Sequence, residues 1–89
     1  MIEVKTAVQK ALGYFQELMP ASAPGSILLE EVEFAEGPSP RWHITFSTPS
    51  PQLTLASISG RDRAYKTITI DAETGEFRSM KIRPLPVPA

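Results

Sequence analysis

One segment of this chain has a helical period, and most of the remaining sequence alternates like short strands. Val4, Val8, Ala11, Phe15 and Leu18 recur at steps of four and three through residues 2–19. That spacing gathers apolar side chains on one side of a helix. Ala7, Leu12 and Met19 widen the stripe. Pro20 ends it, because the residue before a proline is pushed out of the α region. Gly13 lies inside the pattern, where it costs about 1 kcal/mol relative to alanine; close approach of the helix to a sheet is the expected reason. Such a stripe must be buried, and with no second helix in the pattern the covering layer has to be a sheet.

The strands are read from period-two alternation. Residues 27–35 form the first, and its apolar preference changes face between Leu29 and Val32, which predicts a bulge. Glu36-Gly37-Pro38-Ser39-Pro40 is a turn. Arg41 to Ser47 is the clearest strand, with Trp42, Ile44 and Phe46 on one face and Arg41, His43, Thr45 and Ser47 on the other. Thr48-Pro49-Ser50-Pro51 interrupts the alternation. Residues 52–64 are open to a short edge strand, a helical turn or a lobe over the sheet. Tyr65 to Asp71 and Phe77 to Arg83 complete the set around a turn with Gly75; Met80 and Ile82 are in phase and Phe77 is not.

These elements predict an α+β domain over residues 1–83, with the helix lying across a four-stranded antiparallel sheet, and an extended or disordered proline-rich tail at 84–89. The expected core is Val4, Val8, Ala11, Phe15, Leu18, Val32, Phe34, Trp42, Ile44, Phe46, Ile68, Ile70, Met80 and Ile82.

Composition narrows the function. A chain of 89 residues has room for one core. Ten acids against nine bases argue against bulk electrostatic binding of nucleic acid. The absence of cysteine excludes disulfides, thiolate metal sites and a cysteine nucleophile. A single histidine excludes a multi-histidine metal site. Apolar runs of about three residues do not span a membrane. Met1-Ile2-Glu3-Val4-Lys5 has no apolar signal core, so the expected location is cytoplasmic.

Three places carry candidate chemistry. Asp71, Glu73 and Glu76 share a turn; the expectation is an Asp71 carboxylate accepting backbone N–H bonds rather than a cation site. His43 is a candidate general base, but its parity places it on the helix-free face, and there is no G-x-S-x-G elbow or phosphate loop. No catalytic residue, metal or cofactor is therefore expected. The third is the helix-free face itself, lined by Arg41, His43, Thr45, Thr67, Thr69, Ser79 and Lys81, since an antiparallel sheet can leave one face wet. Glu30, Glu31, Glu33 and Glu36 surround the first strand, while Arg61, Arg63, Lys66, Arg78, Lys81 and Arg83 surround the last two. That polarity suits cross-strand pairs or the steering of a charged protein partner.

The stretch Tyr65-Lys66-Thr67-Ile68-Thr69-Ile70-Asp71-Ala72-Glu73-Thr74-Gly75-Glu76-Phe77 resembles the signature of PepSY-type domains, a strand running into Asp-Ala, polar residues and Thr-Gly-Glu. Phe77 stands where that pattern has an aliphatic residue, and the 48–64 segment is longer. The resemblance implies a helix-on-sheet fold and a non-catalytic regulatory or inhibitor-like contact. The expected function is thus a protein-interaction module, acting through the open sheet face or the 48–64 loop on a protein partner or on itself. A small-ligand or enzymatic pocket between helix and sheet near His43 is the alternative.

Overall fold

A computed structural model describes residues 1–20, 24–49 and 63–83. Helix α1 (Val4–Leu18) is followed by a short 3₁₀ turn at Pro24–Ser26 and by strands β1 (Leu28–Ala35), β2 (Arg41–Pro49), β3 (Arg63–Asp71) and β4 (Phe77–Arg83). The strands form one antiparallel sheet in the order β1-β2-β3-β4. This is the α+β arrangement the alternation predicts. The proline-rich tail, Ser50-Pro51 and residues 52–62 of the undecided segment lie outside the described residues. The ladder between β2 and β3 runs on through Thr48–Ala64 and Pro49–Arg63. Proline is tolerated there because it sits at the ladder's end, so the break expected at Thr48 is displaced.

The helix lies chiefly over β2 and β3. Its inner line is Ala7, Ala11 and Phe15, all buried against Ile44, Phe46, Ile68 and Ile70. The Phe15 and Phe46 rings meet at 5.4 Å between centroids. Four residues expected in the core are not there: Phe34 is half-buried at the edge of the sheet against Trp42, and three are exposed. Val4 and Leu18 are exposed, and Ile82 is 78% exposed. The cause is geometric: α1 runs across the middle strands, so residues at its two ends turn away, and Ile82 stands on the outer strand β4 opposite Lys66. Gly13 is exposed too, with nothing within 4 Å of where a Cβ would stand. Close approach to the sheet occurs at the two buried alanines instead.

Two bulges set which side chains face which way. Leu29 opposes Phe46 and Glu31 opposes Thr45, leaving Glu30 as an extra residue in β1, the irregularity predicted from the phase change. A second shift puts Thr69 opposite Ser79 and Ile70 opposite Phe77, so Arg78 is extra in β4. That returns Phe77 to the helix side, where its ring meets Tyr14 at 5.3 Å.

The chain start is stitched to the sheet end. The Ile2 amide donates to the Ala72 carbonyl at 2.7 Å, Ala72 donates to the Pro40 carbonyl at 2.9 Å, and the Trp42 indole N–H donates to the Ile2 carbonyl at 3.3 Å. Gly75 has φ +78, a conformation that glycine adopts without steric cost, and Lys10 of α1 lies directly against it.

Candidate functional site

The face away from the helix is less open than parity alone suggests. Arg83 of β4 forms an ion pair with Glu31 of β1, reaching over the two middle strands, and also donates to the Thr45 hydroxyl at 3.4 Å. Beneath it the Thr45 and Thr67 hydroxyls bond each other at 2.9 Å, and Thr45 is only 3% exposed. Thr45 is thereby withdrawn from the surface, and the Thr67 hydroxyl is engaged with it. Beyond Arg83, buried Ser47 donates to Glu30 Oε2 at 2.6 Å and accepts from Arg63 Nε at 2.7 Å. Arg63 Nη2 also donates to the Ser26 carbonyl at 2.7 Å. This cluster ties the extra residue of the β1 bulge to β2 and β3.

On the other side of the Arg83 bar lies a depression of about 430 Å³, lined by Ser39, Arg41, His43, Thr69, Arg78, Ser79 and Lys81. His43, Thr69 and Ser79 form one row across β2, β3 and β4. His43 Nδ1 lies 2.9 Å from the Thr69 hydroxyl, so the ring is tied to β3 and half-buried rather than free in solvent. Glu33 faces His43 from β1 without a hydrogen bond between them among the described residues. Among the described residues no carboxylate is hydrogen-bonded to His43 to orient it as a general base would need. It also faces away from α1, so the alternative pocket between helix and sheet does not contain it.

Arg78 reaches this depression through the bulge, because the extra residue shares the open face with Ser79. It bonds Asp71 Oδ2 at 2.6 Å. Asp71 Oδ1 accepts from the Glu73 and Thr74 amides at 2.8 and 3.1 Å, as the turn sequence predicts. Its carboxylate is therefore fully engaged within the turn. The Arg78 hydrogen bond, followed by the Thr74 and Glu73 amides, lowers the Asp71 pKa from 3.8 to about 2. A carboxylate held down in the folded state stabilises it above its unfolded pKa, and that contribution vanishes as pH falls through the folded value. Asp71→Asn keeps the shape and loses the charge. It should melt below the parent at pH 7, with the gap closing between about pH 4 and pH 2. A gap that stays constant in thermal melts across that window contradicts the assignment.

Of the residues expected to form the interaction surface, Arg41, His43, Thr69 and Lys81 come together here, with Ser79. Thr45 and Thr67 do not. Arg78 and Ser39 join the site without being expected from the alternation; the sequence signal for Arg78 is the phase break between Phe77 and Met80. Among the described residues no three histidine or acidic side chains gather as a metal site, and no helix is long and apolar enough to cross a membrane. Comparison with protein-family models, with curated proteins and with solved structures gives no match in any of the three.

Proposed function

We propose that the protein is a non-catalytic interaction module whose helix-free face docks an acidic segment of a protein partner. One observation carries this reading. The chain has a net charge of −1 with ten acids, yet the depression is bordered by Arg41, Arg78, Lys81 and the single histidine, with no carboxylate in its lining among the described residues. Of the acids beside it, Asp71 is engaged by Arg78, and Glu33 faces His43 from β1 outside the lining. A concave patch of one sign attracts the opposite charge and orients it. The likeness of Tyr65–Phe77 to PepSY-type domains supports the same non-catalytic role.

Titration of the full chain with an extended glutamate-rich peptide, followed by amide chemical shifts, tests the proposal. Shifts should concentrate at Arg41, His43, Ser79 and Lys81, and the affinity should weaken as salt is raised. Shifts confined to the helix side overturn the reading. So does concentration-dependent shifting of the same amides without peptide, which would give the face to a second copy.

A further inference from the structure

The charge balance of the depression narrows the chemistry of the docked segment, and it rests on the docking reading. Arg78 is neutralised by Asp71. Arg41 and Lys81 are exposed and form no ion pair among the described residues. Two positive charges without an ion-pair partner among the described residues therefore flank one concavity, Arg41 on β2 opposite Asp71 and Lys81 on β4 opposite Thr67, two strand spacings across and four residues along the sheet, about 16 Å apart at the Cα atoms and within reach of each other's long side chains. Between them lies a floor of hydroxyl and imidazole groups from Thr69, Ser79 and His43. A carboxylate brings one negative charge and would leave one cation unbalanced. A phosphomonoester brings about −1.5 to −2 charges and three strong acceptor oxygens. Its three terminal oxygens also offer more acceptor sites to donors on opposite walls than a carboxylate's two.

We infer that the depression is an anchor for a phosphorylated side chain, presented by the acidic segment of the partner. Arg41 and Lys81 supply the charge from the two walls. The exposed remainder of the Arg78 guanidinium, with 52% of its side chain accessible, adds donors that the Asp71 bond does not use. Ser79 and the free His43 nitrogen complete the floor. The concavity is of the size that ordinarily takes a small ligand group.

The test uses the full chain and three peptides of one otherwise neutral sequence, carrying phosphoserine, aspartate or serine at one position, with inorganic phosphate as competitor. The phosphoserine peptide should bind at least tenfold more tightly than the aspartate peptide, and inorganic phosphate should displace it. The Arg41→Gln/Lys81→Gln variant should melt with the parent and lose at least tenfold in affinity. Lys5→Gln/Lys10→Gln removes the same charge from the helix and should bind as the parent does. Equal binding of phosphoserine and aspartate peptides overturns the phosphoryl anchor and leaves acidic docking standing. Failure of the phosphopeptide while a glutamate-rich peptide still shifts the face has the same meaning. Failure of both sinks the anchor and the docking reading together.

Discussion

Phe15→Ala should destabilise the domain by about 3–5 kcal/mol, the usual effect of truncating a buried phenylalanine. Phe15 is 1% exposed and lies against Phe46 at the centre of the helix–sheet contact. Removing the ring takes away its transfer free energy, leaves a cavity under α1 and ends an aromatic pair that contributes about 0.5–1.5 kcal/mol beyond its area. Domains are stable by about 0.05–0.15 kcal/mol per residue, or roughly 4–13 kcal/mol for a chain of this length. The loss is then a large share of the total, and at the lower end all of it. Val4→Ala, on the same helix but exposed, should stay within about 0.5 kcal/mol of the parent. Urea unfolding followed by far-UV circular dichroism measures both. A Phe15→Ala midpoint equal to the parent's means the helix does not pack as described.

The contrast between those two residues marks where a local sequence pattern stops being informative. Val4 and Leu18 fit the helical period as well as Phe15 does, and on any hydrophobicity scale they outrank alanine. Contact geometry selects differently. The helix crosses two strands, so the residues fully buried against the sheet are those on one short line, and two of the three are alanines. Alternation, by contrast, is fully local. Trp42, Ile44 and Phe46 announce the buried face of β2 and, by parity, place Arg41 and His43 on the other. Breaks in phase are local as well, which is why Leu29 to Val32 reveals the β1 bulge and why Phe77 points to the one at Arg78. The fate of Thr45 and Thr67 is not local. It depends on Arg83 meeting Glu31 across 52 residues of sequence, and no pattern within either strand encodes that contact.

Ala11→Leu and Gly13→Ala should move stability in opposite directions, although the sites are two residues apart on one helix. Ala11 is fully buried where α1 meets the sheet. Added carbons at such a site have no free volume and force the helix outward or the neighbours off their rotamers, which costs about 1–3 kcal/mol. The displacement would also loosen Phe15, the next contact along the same line, so the upper half of that range is expected. Gly13 faces open space, and its only cost is the backbone freedom it loses when the helix forms. Alanine there should stabilise by about 0.4–1 kcal/mol. Helix propensity alone ranks leucine and alanine close together and gives Ala11→Leu almost no effect. Thermal unfolding of the two variants therefore separates packing from propensity. If Ala11→Leu melts with the parent, the helix stands farther from the sheet than its two buried alanines require, and the polar face on the far side loses the rigid backing that holds Arg41, His43 and Lys81 in one concavity.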